Sequence, residues 1–189
     1  VLNHILPHGD ADHAKEVPNI HKEIKIESIK INDGKINNYE QKALDLIGSK
    51  EYKEKNLNLK FLNYKLYNDE NSNSLLTLIK IYDTKIISFG DAPQKVEDDV
   101  TLKYNLKDIN ILKLSHHGSK TSSSEFFLDR LNPDIAIISS GRNNRFHHPN
   151  KETINNLKKL QIDYLNTQTS GTIEFVINKN NVTYNEYRP

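Results

Sequence analysis

The segment His8-Gly9-Asp10-Ala11-Asp12-His13 carries two imidazoles and two carboxylates in six residues, with Gly9 and Ala11 small enough to let the backbone wrap closely. Alternate residues of an extended chain point the same way, so His8 and Asp10 can share one cation. Asp12 and His13 can reach a second where the chain turns into a helix. Asp and Gly also populate ordinary polar turns. Histidines flanking two aspartates at this density point instead to metal binding.

Three further clusters have the same character. Gly90-Asp91-Ala92 closes an apolar run. Alone it is a common turn dipeptide, but beside two cations a carboxylate there would bridge them and offset their repulsion. Ser115-His116-His117-Gly118-Ser119 precedes Lys120, Thr121 and three serines. Adjacent residues of an extended chain face opposite sides, so one of His116 and His117 is expected to face a given ion while the other packs or donates a proton. A serine nucleophile would need a strained Gly-x-Ser-x-Gly turn and an orienting acid, a context that Ser115 and Ser119 lack. The run Gly141-Arg142-Asn143-Asn144-Arg145-Phe146-His147-His148-Pro149 offers Arg and Asn donors suited to phosphate, and Phe146 as a face for a base. In it, His148 is a ligand candidate just ahead of a helix. His4 and His21 lie outside the clusters and are expected to be packed or solvated.

These clusters can act together only if the chain carries them to one edge. Hydrophobic spacing predicts strands over Val1–Leu6, Lys25–Ile31, Leu57–Tyr64, Leu75–Tyr82 and Lys85–Phe89, with a tight turn at Asp83-Thr84. Residues 8–13 read as a loop, and Glu16–Glu23 and Asn38–Lys50 as helices. No element is assigned between Phe89 and Ile109. Beyond it come a strand at Ile109–Leu114, a helix at Ser122–Leu131 capped by Ser122 or Ser123, a buried strand at Ile135–Ser140 and a helix at Asn150–Leu160. Asp163–Leu165, Gly171–Ile177 and Asn181–Tyr187 complete the chain as β structure. Strands first, then strand–helix alternation, indicate sheets covered by helices. Each polar cluster follows a strand, the end at which open α/β sheets place ligands.

Bulk composition narrows the classes. At 189 residues, 1–189 is expected to form one domain. A hydrophobic share of 35% and a mean hydropathy of −0.71 are low, but a formal charge of +1 lacks the imbalance of disordered chains. That charge also restricts nucleic-acid contact to local patches. Without cysteine there is neither a disulfide framework nor a thiolate metal site. No apolar run approaches the ~20 residues needed to cross a bilayer, and no signal peptide is recognisable. The absence of Met and the apolar opening suggest an excised fragment whose parent continues upstream.

Taken in order, His-x-Asp-x-Asp-His, Gly-Asp-Ala, Ser-His-His-Gly-Ser-Lys-Thr-Ser-Ser-Ser and Gly-x-Asn-Asn-Arg-Phe-x-His-Pro resemble the metallo-β-lactamase-like domain of the ComEC family of bacterial DNA-uptake (competence) proteins. The resemblance runs from about Val1 to Gly171 and is most specific over Leu112–Ser124 and Ile135–Pro149. It implies an α/β (α+β) fold, an αββα sandwich with its N-terminal strands missing and two metals between its sheets. By position, His8 and Asp10 correspond to first-metal ligands, Asp12 and His13 to second-metal ligands, Asp91 to the bridging carboxylate and His148 to the last histidine ligand. His116 and His117 resemble a histidine that assists the leaving group, or a further ligand. The sequence departs from the superfamily pattern in four ways. Asp10 stands where His is commonest, Asn73-Ser74 occupies the place of the middle His ligand, His147 stands where this branch often has Gly, and the opening strands are missing.

The resemblance implies two-metal hydrolysis of DNA phosphodiesters. Asp12 or Asp91 would hold the attacking water, and His116 or His117 would protonate the leaving oxygen. Lys120, Arg142, Asn144 and Arg145 are the expected substrate contacts. Carboxylates suit Mn²⁺ or Mg²⁺ and imidazoles suit Zn²⁺, so two divalent ions, Zn²⁺ or Mn²⁺, are expected and no small organic cofactor. The resemblance also implies a polytopic membrane parent in a bacterium, with this domain outside the cytoplasm. Two rivals stand: a hydrolase of another ester or amide on the same scaffold, and a degenerate DNA-binding module. The Arg/Lys loops favour phosphate over an acyl substrate, and the retained ligands favour catalysis over degeneracy.

Overall fold

The computed structural model describes residues 2–48 and 57–188. Strands β1 (Leu2–Ile5) and β2 (Ile26–Lys30) pair in parallel, linked by α1 (Ala11–Ala14) and α2 (Val17–Glu23). Helix α3 (Asn38–Ile47) follows. It opens on a capping box: the Asn37 side chain accepts from Tyr39 N–H and Glu40 N–H, and the Glu40 carboxylate accepts from Asn37 N–H. Leu6, Ala14, Val17, Ile26, Ile29 and Ala43 close a small core between these elements.

The main sheet has six strands in chain order: β3 (Leu57–Phe61), β4 (Thr77–Ile81), β5 (Thr84–Ser88), β6 (Ile111–Lys113), β7 (Ile135–Ile138) and β8 (Asp163–Asn166). β3, β4 and β5 are antiparallel, whereas β5 through β8 are parallel. The parallel strands are connected by α4 (Gln94–Tyr104), α5 (Glu125–Leu131) and α6 (Lys151–Lys159). Strand order advances in one direction, so right-handed crossovers place all three helices on one face. There Val96, Val100, Phe127, Leu128, Leu131 and Leu157 share a core with Ile87, Phe89, Leu112, Leu114, Ala136 and Ile138. A short helix, α7 (Thr167–Ser170), leads into the antiparallel hairpin of β9 (Thr172–Ile177) and β10 (Val182–Tyr187).

Several expectations need correction. Residues 8–13 are not all loop, because helix α1 begins at Ala11 with Asp10 at its N-cap. The turn between β4 and β5 is Tyr82-Asp83, since Ile81 pairs with Thr84, and Tyr82 takes the positive φ of 52° that this tight turn demands. Neither Ser122 nor Ser123 caps α5. Ser124 does, accepting from Phe127 N–H, while Ser123 is held by a buried carboxylate. Helix α4 was not predicted. It buries Val96, Glu97, Val100 and Thr101, half of them polar, and exposes Leu102, which blurs the apolar stripe. Val1 and the last two residues assigned to the α3 segment, Ser49 and Lys50, lie outside the described residues.

Candidate metal centre

Parallel strands end side by side, and this brings the clusters together. Asp91 follows β5, His116 and His117 follow β6, His148 lies between β7 and α6, and the loop after β1 brings His8 to the same edge. The Asp91 carboxylate is buried at their centre. Its Oδ2 lies 3.3 Å from His8 Nε2, 3.5 Å from His13 Nε2, 3.7 Å from His117 Nε2 and 3.9 Å from His116 Nε2. Asp12 Oδ2 is 3.6 Å from His117 Nε2 and 3.8 Å from His13 Nε2. One ligating atom from each of Asp12, His13, Asp91 and His117 falls within 4.8 Å of all the others.

The donor set fits a cation. His8 Nε2, His13 Nε2, His117 Nε2, His148 Nδ1 and Asp91 Oδ1 are buried without a hydrogen-bond partner. Unpaired buried polar atoms are costly, and the three imidazole nitrogens of His8, His13 and His117 left so around Asp91 suit a divalent cation. His117 Nδ1 lies 2.7 Å from the Ser139 carbonyl, which can only accept, so Nδ1 carries the proton and Nε2 presents its lone pair to the cluster. Metal-ligating histidines are oriented in this way. Burial alone would raise the Asp91 pKa, but the His13 and His8 imidazoles overcome it and hold the carboxyl well below its usual range. Burial likewise lowers the His116 pKa, with Asp91 opposing, and lowers that of His148, reinforced by His116 and His117.

His116 and His117 do not face opposite sides. Both adopt left-handed backbone, φ 47° and 56°, within a 3-10 turn, Ser115–Gly118, so the alternation of an extended chain does not apply and both rings turn toward Asp91. Gly118 closes the turn at φ 82°, where a Cβ would meet Pro149. Asp10 stands beside the other nitrogen of His8, with Oδ2 3.7 Å from Nδ1. His148 is linked to the cluster through the His116 ring, 5.6 Å between centroids. Of the Asn73-Ser74 pair in the region of the middle His ligand, Ser74 adjoins the centre, its Oγ accepting from Asp91 N–H at 3.0 Å.

The expected substrate contacts lie on the chain segments that carry the histidines: Lys120 follows His116 and His117, and Arg142, Asn144 and Arg145 precede His148. Arg142 is exposed and donates from Nε to Gln168 O. Arg145 is stacked over Phe146, its Cζ 4.6 Å from the ring centroid. Lys120 is exposed, its backbone tied to Asn150. The Asn144 amide is engaged within its own loop, donating to Gly141 O and His148 O and accepting from His148 N–H. His4 is half-buried, and His21 accepts from Ile26 N–H. Two cavities lie elsewhere: one of about 580 Å³ opens between β6–β8 and β9–β10, and one of about 800 Å³ between residues 33–38 and 66–73.

Several supporting residues escaped sequence reasoning. The fully buried Glu97 of α4 accepts from Ser115 Oγ at 2.5 Å and Ser123 N–H at 2.6 Å, bracketing the histidine loop. Thr153 donates to the carbonyl oxygens of Gly118 and Ser119. On the other side, Glu70 accepts from Gly9 N–H and Asn37 donates to Gly9 O. A Cβ on Gly9 would collide with Asn37 and Glu40. The Asn37-x-x-Glu40 pattern was readable as a helix start, but nothing in the sequence marks Glu97, Glu70 or Thr153.

A mixed sheet backed by helices, with a His/Asp cluster at its strand ends, agrees with the architecture expected of a metallo-β-lactamase-like domain. No protein-family model matches the chain. Over 98% of its length it is 30% identical to ComE operon protein 3 of Bacillus subtilis, of which it spans 26%. It is 36% identical to Recombination protein 2 of Haemophilus influenzae over 55% of the chain and 13% of that protein. It is 34% identical to Competence protein ComA of Neisseria gonorrhoeae over 60% of the chain and 17% of that protein. The chain is a metallo-β-lactamase-like domain of the ComEC family. Among solved structures it resembles a protein of Parabacteroides distasonis described as a metal-dependent hydrolase. The TM-score is 0.56 at 15% identity, covering 88% of this chain and 76% of that one. It also resembles a CmlA β-hydroxylase variant, with TM-score 0.55 and 10% identity, covering 87% of this chain and 42% of that one. A hydrolase and a hydroxylase on one scaffold show that fold does not dictate reaction.

Proposed function

We propose that this domain is a divalent-metal-dependent phosphodiesterase that cleaves DNA during uptake, as part of a longer membrane protein. The observation that carries it is the convergence of unpaired His8, His13 and His117 ring nitrogens on the buried Asp91 carboxylate, with Arg142 and Arg145 on the same loop as His148. His8, His13, His117, Asp12 and Asp91 hold the metal, with Asp10 and His148 as adjoining donors. Bound there, two divalent ions, Zn²⁺ or Mn²⁺, would supply Lewis-acid charge and a more acidic water.

The rest is the work of the chain. Asp12, with its side chain exposed at the cluster rim, accepts the proton of the attacking water. His117, committed through Nδ1 to Ser139, has no proton to give from Nε2 when neutral. His116 has only a distant Thr121 hydroxyl beside its Nδ1, at 3.5 Å, and a half-buried ring. It is the proton donor to the leaving oxygen, and its lowered pKa makes the protonated ring a stronger acid. Arg142, Arg145 and Lys120 neutralise flanking phosphates, while Asn144 keeps their loop in shape.

No helix among the described residues is long and apolar enough to cross a membrane. Kinship with the competence proteins is what supports assigning the domain to a membrane-anchored parent, on the side outside the cytoplasm. The test is cleavage of single- and double-stranded DNA by the purified domain with Mn²⁺, Mg²⁺ or Zn²⁺. Cleavage that stops with chelator and with Asp12→Ala supports the proposal. Bound metal with no cleavage of either substrate overturns it.

A further inference from the structure

Away from the metal centre, a second surface combines lysines with aromatic rings drawn from three separate elements. Tyr64, in the loop after β3, meets Tyr104 at the end of α4 edge to face, 6.5 Å between centroids. Lys103 Nζ lies 4.5 Å from the Tyr64 centroid, Lys60 Nζ 5.1 Å from that of Tyr104, and Lys65 Nζ 4.8 Å from that of Tyr67. Asp99 pairs with Lys65 at 3.1 Å and Lys95 at 3.3 Å, while the ammonium groups of Lys60 and Lys103 rest on ring faces. In a chain of formal charge +1 this is a local concentration of positive charge, laid along a helix about 16 Å long.

We propose that this face, the loop after β3 with the outer side of α4, binds a single strand of DNA, its tyrosines taking bases and its lysines phosphates. Non-specific single-strand sites join a basic track to aromatic faces on which bases stack, and here the ammonium groups stand close enough to the rings for one strand to meet both. The position fits. β3 runs parallel to β5, so the loop after β3 leaves the sheet at the edge that bears Asp91. That loop continues directly into the centre: Asn73 binds both backbone polar groups of Tyr67, Ser74 accepts from Asp91 N–H, and Glu70 accepts from Gly9 N–H. Helix α4 starts three residues after Asp91. A strand lying on the patch is therefore led toward the metal ligands. Exposed Leu66 and Leu102 are the features an anionic lipid surface would use instead, but continuity with a phosphodiester site favours the nucleic acid. The inference rests on the DNA reading of that site.

The experiment is fluorescence anisotropy of a labelled oligothymidylate with the intact domain in EDTA, so that binding is read without cleavage. The combined Lys60→Ala, Lys65→Ala and Lys103→Ala variant should weaken binding at least tenfold and flatten the slope of log K against log salt by about 2, from about 0.7 per lost contact. Tyr64→Ala should weaken single-strand binding by about fivefold or more with the slope unchanged, and Tyr64→Phe should retain it. Unchanged affinity and slope in the lysine variant would overturn the proposal. So would variants that lose binding to phosphatidylserine vesicles and keep it to DNA. Absence of cleavage by metal-loaded protein, with anisotropy behaving as expected, would count against the nuclease reading alone.

Discussion

The two loops that meet at Asp91 are held by different means. The loop Ser115–Ser123 is locked from beneath by the fully buried Glu97, by Ser122 donating to the Ser115 and Ser119 carbonyls, and by Thr153. All of this is set in the larger core. The segment His8–His13, a loop running into α1, rises from the small core and is gripped at Gly9 by Glu70 and Asn37, residues of connecting segments. One half of the centre is therefore built into the fold, while the other is fastened to it by polar clamps. Disturbing the first should cost stability, whereas disturbing the second should cost metal affinity before stability.

The largest effect should come at the residue both loops share. Asp91→Asn is expected to lower metal affinity by more than about a hundredfold, beyond the loss of an outer partner, as read by isothermal titration calorimetry. Next, Glu97→Ala leaves the Ser115 hydroxyl and Ser123 N–H unpaired in the interior and should cost on the order of 2–4 kcal/mol in urea unfolding. A loss no larger than that of an ordinary surface substitution would end the distinction between the loops.

Glu97 also predicts a pH dependence. Burial raises its pKa from 4.5 to about 8, with the hydrogen bonds from Ser115 and Ser123 opposing. The folded state thus holds a proton that the unfolded chain releases above about pH 4.5, so its contribution to stability is full below that value and declines as pH rises to about 8. The Tm should fall between about pH 4.5 and 8 and level off above, and Glu97→Gln should flatten that fall. The smallest effect on stability is expected at the clamp. Asn37→Ala removes an N-cap worth about 1 kcal/mol, yet should weaken metal binding about tenfold, as loss of an outer partner does. A stability loss matching that of Glu97→Ala would erase the contrast.

What could be read from residue order was whatever local pattern carries. The alternating segments gave the strands their places, and the family resemblance rested on clusters that follow them. Helix α4 was hidden because its buried face uses Glu97 and Thr101 beside two valines, so no apolar stripe formed. The inward turn of both His116 and His117 was hidden because a positive φ on a non-glycine residue has no compositional signature.

Residue types and their order determined that metal-binding chemistry was available and that strand ends would present it. Tertiary structure decided which ring nitrogen faces Asp91, that a buried glutamate braces the histidine loop, and that Lys60, Tyr64 and Lys103 share a surface. Periodicity is local, a property of neighbours along the chain. Pairings across tens of residues exist only once the sheet order and crossovers have set the path between them.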